Sequence, residues 1–465
     1  MLTVIGAAVI VSVSALLISG RVAPVVALSI VPLLGAFAAG FTPGEIGAFF
    51  ESGVGSVLDV AVMLIFAILF FGVMNDAGIF RPLVDAVVRL ARGDAVAVAV
   101  GTVLLAAVCH LDGAGSTTYL ICLPALLPVY QRMRMSPYLL MLLMGTSMGI
   151  LNMLPWGGPV GRAGVVLGMD PVDLWRGLIP VQAYCLVLLI VMAVVLGLRE
   201  KRRIRRLDEA VAPVGAGVGA RGGAGSPSGA GSDAGAPTTV AGDPVREDGD
   251  AADTGGEPRP RVRRPLVNVA LIVTVLAVLV WGILPSGYVF MVGLGVALVA
   301  NYPRVSEQMD RIKAHAASAL GTGAIILAAG TFLGTLEGTG MLDALAADLV
   351  GVLPAAVVPQ LHLVVGVLGL PLELVLSTDA HYFGLLPLVE STVTAHGGDS
   401  LSVAYAVIVG NIIGTYISPF NASLWLGVGL AGVDLGRHIR YSLPWMWAFS
   451  LAALAGAVAM GVVSV

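Results

Sequence analysis

Charged residues are scarce in this sequence. They make up 12% of the 465 residues, whereas a soluble domain usually carries about 25%. The formal net charge is only −4, and no basic stripe runs along the chain. The scarcity of charge argues against a soluble domain, and the missing basic stripe argues against a nucleic-acid-binding protein.

Cysteine is also rare. Cys109, Cys122 and Cys185 lie in apolar runs, and their spacing does not match a metal site. We therefore interpret them as packing residues. The N-terminal MLTVIGAAVIVSVSALLISG lacks a charged leader and a small-residue cleavage site, which predicts a retained first helix rather than a signal peptide.

Apolar runs fill most of the remaining length. Hydrophobic residues reach 57%, and runs of about 18 residues or more are long enough to cross a bilayer as helix. The sequence therefore predicts an all-α, polytopic membrane protein. We expect spans near residues 2–20, 23–41, 57–75, 137–165, 178–199, 266–283, 285–301, 314–336, 401–430 and 442–463.

Residues 200–264 interrupt this pattern. The stretch is basic at both ends, EKRRIRRLDE and RPRVRR, and rich in Gly, Ala and Ser between them. It cannot bury a core, so we predict a disordered linker between a first membrane repeat, 1–199, and a second, 265–465. Its basic ends place it in the cytoplasm and the N-terminus outside, a topology role that we favour over binding.

Two further apolar regions, 95–130 and 356–395, have polar centres. If each enters the membrane and returns to the same side, the basic and acidic loops segregate, so we predict two re-entrant hairpins. The predicted inner loops carry Arg81, Arg89, Arg92, Arg132, Arg134, Arg304, Arg311, Lys313, Arg437 and Arg440. The predicted outer loops carry Glu45, Glu51, Asp343, Asp348 and Asp399.

The two halves resemble each other. Residues 62–94 and 323–354 each end a span in a glycine-marked bend and a surface helix. Each half then has a hairpin and a span interrupted near its middle, by NMLPWGGP within 137–165 and by GTYISPFNAS within 401–430. Five spans per half invert the second copy, and inverted repeats with broken helices are typical of secondary transporters.

Four polar breaks, at 110–119, 152–162, 373–384 and 411–423, are expected to meet near mid-membrane. Backbone groups freed by a break cannot face lipid, and opened helix N-termini suit carboxylate oxygens. The candidate substrate-binding residues are Asp112, Gly113, Ser116, Thr117, Thr118, Asn152, Pro155, Gly157, Gly158, Arg162, Ser377, Thr378, Asp379, Ser418, Pro419 and Asn421.

Asp112 and Asp379 lie at the two hairpin tips. A carboxylate inside a membrane is costly, so we expect each to carry a proton or to bind a hard cation, with helix capping as the structural alternative. Glu373 is a further candidate for proton or cation coupling. Arg162 either anchors a substrate carboxylate or lies at the membrane interface.

The remaining polar residues at the breaks have weaker signals. His110 and His381 flank the two aspartates, but no ligand spacing supports a transition-metal site. Trp156 is expected to pack at its bend. Asn152, Asn411 and Asn421 either line the site or satisfy backbone groups.

The motifs HLDGAGSTTYLICLPALLPVYQRMRMSP, NMLPWGGPVGRA and LSTDAHYFGLLPLVE together resemble the citrate–divalent-metal:proton symporters, the CitMHS family. These belong to the ion-transporter superfamily, which includes the dicarboxylate/sodium symporters. The resemblance covers nearly all of both halves but not the linker, which looks like an insertion.

The resemblance implies a homodimer in which a scaffold supports an elevator-type transport domain in the cytoplasmic membrane. It also implies proton-driven uptake of citrate complexed with Mg²⁺ or Ca²⁺, with Asp112 and Asp379 contacting the citrate-bound metal. No covalently bound cofactor and no enzymatic activity are implied.

One departure from the family motif leaves the metal open. The usual motif reads DGDGTTT, whereas residues 112–118 read DGAGSTT, with Ala114 in place of the second aspartate. An alternative is therefore sodium- or proton-coupled transport of a free di- or tricarboxylate, although the second tip, Ser377-Thr378-Asp379, lacks the Ser-Asn-Thr signature of the sodium relatives. A remote alternative is an intramembrane aspartyl protease using shared-proton chemistry, but the Gly-x-Gly-Asp context of such enzymes is missing.

Overall fold

The computed structural model describes residues 1–19, 21–79, 94–211, 264–352 and 358–465, and within these residues the regular structure is helical. The first half contains α1 Leu2–Ser19, α2 Pro24–Ala38, α3 Pro43–Asp76, α4 Ala95–Cys109, α5 Gly115–Arg132, α6 Pro137–Leu151, α7 Pro159–Leu167 and α8 Pro171–Val211. The second half contains α9 Pro265–Trp281, α10 Ser286–Asn301, α11 Val305–Gly338, α12 Met341–Val352, α13 Leu361–Glu373, α14 Leu386–Thr394, α15 Ser400–Asn411, α16 Ala422–Ala431 and α17 Leu435–Ala459.

By length and composition, five of the described helical segments can cross a membrane. They are Pro43–Asp76, Ala95–Asp112, Pro171–Leu207, Val305–Gly338 and Leu435–Ala459. Several apolar helices of 10–17 residues accompany them. The prediction of a multi-pass, all-helical protein is therefore confirmed, whereas the sidedness of each span stays a prediction.

Some helices extend beyond the predicted spans. The third helix begins at Pro43 instead of residue 57, because Thr42 and Glu45 form a reciprocal capping box and Pro43 occupies the first turn. The eighth helix continues to Val211 instead of ending at 199, so the basic run EKRRIRR is helical and not part of a linker. Leu, Arg, Lys and Glu are good helix formers, and Arg203 pairs with Glu200 one turn away. The rest of the predicted linker, and Arg81, Arg89 and Arg92 in the predicted surface helix, lie outside the described residues.

The first helix of each interrupted span, α6 and α15, lies in the interior of the molecule. Every residue of α6 from Leu139 to Leu151 is buried, and the same holds for α15 from Ser402 to Asn411. A helix that is buried all round must be surrounded by other helices. Accordingly α6 packs against α4, α8 and α17, and α15 packs against α13, α14 and α17.

Both predicted hairpins consist of two helices that contact each other across a short turn. In the first, α4 gives way to a 3-10 turn at His110–Asp112, and Gly113 adopts a φ of 71°, which allows α5 to start at Gly115. The Asp94 side chain caps α4 by accepting from the Val96 amide, and that bond together with Lys201 holds the pKa of Asp94 below its usual value. In the second hairpin, α13 is followed by a π-helical turn at Ala380–Leu385 and by α14.

Helix α3 of the first half and helix α11 of the second, each of 34 residues, contact each other at glycines. A Cβ on Gly53 would overlap the Gly330 carbonyl oxygen, and a Cβ on Gly334 would overlap the Gly53 backbone at 2.6 Å. Small residues at such crossings allow helix backbones to approach closely in a membrane. At one end of the crossing, Asp76 accepts from His315 at 3.0 Å and from Arg311 at 3.3 Å.

We expect Gly53→Ala to lower the apparent unfolding midpoint of the detergent-purified protein, because the added methyl group forces α3 and α11 apart at a cost of about 1–3 kcal/mol. Gly55→Ala is the matched control, since a Cβ at Gly55 meets nothing within 4 Å. Alanine at that position removes backbone entropy and is expected to be neutral or stabilising by about 0.5–1 kcal/mol. Equal unfolding midpoints for the two variants would show that α3 and α11 can move apart at this crossing without loss of stability.

Candidate binding cavity at the helix breaks

A cavity of about 430 Å³ lies where the four breaks meet. Its volume is within the range of small-molecule sites, roughly 300–1,000 Å³. The first half contributes Asp112, Gly113, Ala114, Gly115, Ser116, Asn152, Trp156, Gly157, Gly158, Pro159 and Arg162. The second half contributes Ser318, Thr322, Ser377, Thr378, Asp379, Thr415, Tyr416, Phe420, Asn421, Ala422 and Ser423, and Ile68 of α3 completes the lining.

Asp112 stabilises the turn at the first hairpin tip. Its Oδ1 accepts a hydrogen bond from the Ala114 amide at 2.8 Å. Asp112 is not the N-cap of α5, because that position belongs to Ala114, whose side chain cannot cap. The first amides of α5 have no intrahelical acceptor, and Gly115 and Ser116 in this first turn line the cavity.

His110 lies behind this tip and is fully buried. Its Nδ1 is 2.9 Å from Thr118 Oγ1, and its Nε2 is 3.0 Å from Asn152 Oδ1 and 3.0 Å from Tyr416 Oη. The histidine thus joins the first hairpin, the break at 152–162 and the break at 411–423 in one hydrogen-bonded group. Its ring nitrogens are occupied by protein partners, and no group of three metal-ligating side chains is found among the described residues.

Glu373 occupies the corresponding place behind the second tip and is also fully buried. It accepts from Thr378 Oγ1 at 2.6 Å and from Asn411 Nδ2. Asn411 in turn accepts from Tyr382 at 3.2 Å. In each half, therefore, a titratable side chain behind the tip is held by a threonine of the hairpin and an asparagine at the helix break.

An ion pair connects the two halves across the cavity. Arg162 Nε on α7 donates to Asp379 Oδ1 at the second tip at 2.7 Å. The two side chains are only 18% and 15% exposed, so the pair is largely shielded from solvent. In this structure the Arg162 guanidinium therefore contacts a protein carboxylate, and its depth relative to the membrane stays a prediction.

Six of the candidate residues do not line the cavity, namely Thr117, Thr118, Pro155, Ser418, Pro419 and Glu373. Thr118 instead bonds to His110, and Ser418 Oγ donates to the Glu373 carbonyl oxygen at 2.7 Å. Pro419 supplies a carbonyl acceptor for Trp425. Trp156 stacks on Phe71 with ring centroids 5.0 Å apart, in addition to lining the cavity.

Several residues that line the cavity were not predicted from the sequence. Ser318 and Thr322 are four positions apart on α11, so they share one helix face, but a hydroxyl pair within AASALGTGA carries little signal by itself. Tyr416 and Ser423 lie within the break at 411–423, and the break itself was the sequence feature that could have pointed to them. His381, in contrast, is buried with neither ring nitrogen hydrogen-bonded, and its Nδ1 is 3.9 Å from Glu373.

The chain is similar to known transporters along its whole length. A family model described as citrate transporter, CitMHS, matches residues 7–410. A Bacillus subtilis (strain 168) protein named citrate transporter is 33% identical over 464 residues and covers 100% of both chains. A second protein of that strain, named Mg(2+)/citrate complex secondary transporter, is 32% identical over 468 residues with the same coverage.

Among solved structures, the Alcanivorax borkumensis YdaH transporter aligns with a TM-score of 0.57 over 90% of each chain. The sequence identity in this alignment is 15%. The likeness therefore concerns the fold alone.

We expect Arg162 and Asp379 to stabilise each other by about 1–3 kcal/mol in a double-mutant cycle of Arg162→Ala and Asp379→Ala, because removing one partner leaves a shielded charge unpaired. The measurement is the unfolding midpoint of the purified protein. The exposed Arg304–Glu307 pair, 3.6 Å apart, is the matched control with an expected coupling below about 0.5 kcal/mol. Additive effects at 162 and 379 would show that the pair does not hold the halves together.

Proposed function

The chain belongs to the CitMHS family of citrate transporters, and we propose that it is a secondary transporter that moves citrate, complexed with a divalent metal ion, across the cytoplasmic membrane together with protons. The observation that carries the proposal is the charge balance of the cavity. Among its described lining residues, Asp112 and Asp379 are anionic and Arg162 is the single cation. That cation is already paired with Asp379.

Such a cavity is poorly suited to free citrate. Citrate carries three carboxylates, and Asp112 would repel them without a second cation to compensate. Binding of one divalent ion leaves the complex with a single negative charge and exposes a metal ion to hard oxygen ligands. Asp112 would then face the metal of the cargo, and Asp379 would contact it when its pairing with Arg162 changes.

Neutral groups suit the carboxylate oxygens of the complex. The uncapped N-terminus of α5 offers backbone amides and a partial positive charge. Ser116, Ser377, Thr378 and Asn421 add hydrogen-bonding side chains around the same space. Gly157 and Gly158 present backbone without a side chain and would allow close approach of the cargo.

Proton coupling is assigned to the carboxylates. Asp112 lies in the cavity wall, so a proton on it would compete with the cargo metal for the same oxygens. Glu373 is buried and connected to the second tip through Thr378 and to the break through Asn411. A change in its protonation would alter those two hydrogen bonds, and it would thereby link proton binding to the position of the tip.

We assign alternating access to an elevator-type movement in a homodimer. The recurring order in the halves supports this assignment, because each has two shorter helices, one long helix, a two-helix hairpin, an interrupted helix and a long terminal helix. Such repeats in inverted orientation bind cargo at their interface. The N-terminus would then be outside and residues 200–264 inside, as the distribution of basic loops predicts.

Uptake of labelled citrate into proteoliposomes tests the cargo. We expect uptake to require Mg²⁺ or Ca²⁺, to stop on chelation, and to increase when the outside is acidified relative to the inside. Empty liposomes and an imposed sodium gradient at constant pH are the controls. Uptake that depends on neither the metal ion nor the pH gradient would favour the alternative, which is transport of a free di- or tricarboxylate.

Asp112→Asn should reduce metal-citrate uptake by at least about tenfold, because the amide cannot carry the proton and is a weaker metal ligand. Its pH dependence should flatten as well. Asp94→Asn is the matched control at the start of the same hairpin, where asparagine also caps the helix. Retention of both uptake and its pH dependence in Asp112→Asn would overturn the assignment of this carboxylate.

A further inference from the structure

A second cavity lies at the C-terminal part of α8 and shares no lining residue with the candidate substrate site. It has a volume of about 830 Å³ and is lined by Arg199, Arg202, Arg203 and Arg206 together with apolar side chains. These arginines follow the spacing i, i+3, i+4 and i+7, so they share one face of the helix. Glu200 is the single carboxylate among the lining residues, which leaves the cavity strongly cationic.

This cavity lies where the apolar segment of α8 gives way to its basic run. The arginines follow directly after the apolar membrane segment of α8, and Val195 and Leu198 in the last turns of that segment are 49% and 43% exposed while also lining the cavity. A ligand here would contact guanidinium groups at one end and lipid-facing apolar side chains at the other. That combination suits an amphiphile with an anionic head.

Two of the four arginines are held in place by the protein. Arg203 pairs with the buried Glu200 at 2.6 Å, and Arg199 lies over the Trp445 ring, 5.5 Å from its centroid. Arg202 and Arg206 have no carboxylate partner among the side chains that the structure describes. Their charge is therefore available to a ligand.

We propose that this cavity binds the headgroup of an anionic phospholipid, with its acyl chains against the apolar surface of α8. The basic run at the end of α8 then has a second role beyond setting topology. A soluble anion would use the arginines but not the exposed Val195 and Leu198, and for that reason the lipid is the better match.

The same helix end also supports the base of the first hairpin. Lys201 pairs with Asp94 at 3.1 Å, at the start of α4. Arg203 donates to the Arg134 carbonyl oxygen and Glu200 accepts from the Ser136 amide, both at 2.6 Å, just beyond the end of α5. Lipid bound at these arginines would therefore stabilise the base of the hairpin whose tip lines the candidate substrate site.

Titration of phosphatidylglycerol into the detergent-purified full-length protein tests the site, with the unfolding midpoint as the readout. We expect phosphatidylglycerol to raise the midpoint and phosphatidylcholine to leave it unchanged. In the double variant Arg202→Gln/Arg206→Gln, the phosphatidylglycerol concentration needed for the half-maximal shift should rise by about tenfold or more. Arg202→Lys/Arg206→Lys keeps both charges and should retain most of the response.

Lys313→Gln/Arg437→Gln is the matched control, because it removes two exposed positive charges outside the cavity. It should respond to phosphatidylglycerol as the unmodified protein does. An unchanged response in the 202/206 glutamine variant, or an equal loss in the control, would overturn the proposal. An equal midpoint shift with soluble glycerol phosphate would overturn it as well, in favour of a free-phosphate site. None of these measurements depends on transport.

Discussion

The need to pair the backbone groups of interrupted helices governs the centre of this molecule. Both α6 and α15 are buried along their length and stop inside the protein, where the freed amides and carbonyls cannot face lipid and need polar partners. Side chains at the breaks supply such partners. Trp156 donates to the Leu111 carbonyl oxygen, Ser418 to that of Glu373, and Asn421 to that of Thr415. The two interrupted helices therefore each support a hairpin turn, Asn421 pairs a carbonyl of its own break, and the space left between these segments is the polar cavity.

The two halves use one arrangement with different chemistry. Behind the first tip the titratable group is His110, and behind the second it is Glu373, yet each is bonded to a hairpin threonine and to an asparagine at the break. A histidine gains charge when it binds a proton, whereas a glutamate loses it. The regions behind the two tips therefore respond to protonation with opposite changes in charge magnitude.

Much of the architecture was predictable from local patterns. The multi-pass helical class was predictable because composition and apolar runs are local properties, and glycine, proline and polar residues within those runs have local conformational consequences. The re-entry of the two hairpins into the membrane stays a prediction. Helix ends were less accurate, as the continuation of α8 to Val211 illustrates. Hydropathy marks where a helix leaves the apolar phase, whereas a charged helix former can continue beyond that point. The role of Asp112 also differed from helix capping, because it lies two positions before the N-cap residue Ala114 and its carboxylate accepts from the turn instead.

The sequence by itself determined that the protein is a membrane protein with four polar breaks, since composition and local backbone preference are properties of short segments. Only the tertiary structure decided which side chains meet there. Arg162 and Asp379 are separated by 217 positions, and Tyr416 and His110 by 306, so no local pattern could pair them. Ser318 and Thr322 likewise belong to the cavity only because α11 turns that face toward it. Contacts between distant segments depend on how buried helices pack, and that packing is a property of the whole chain.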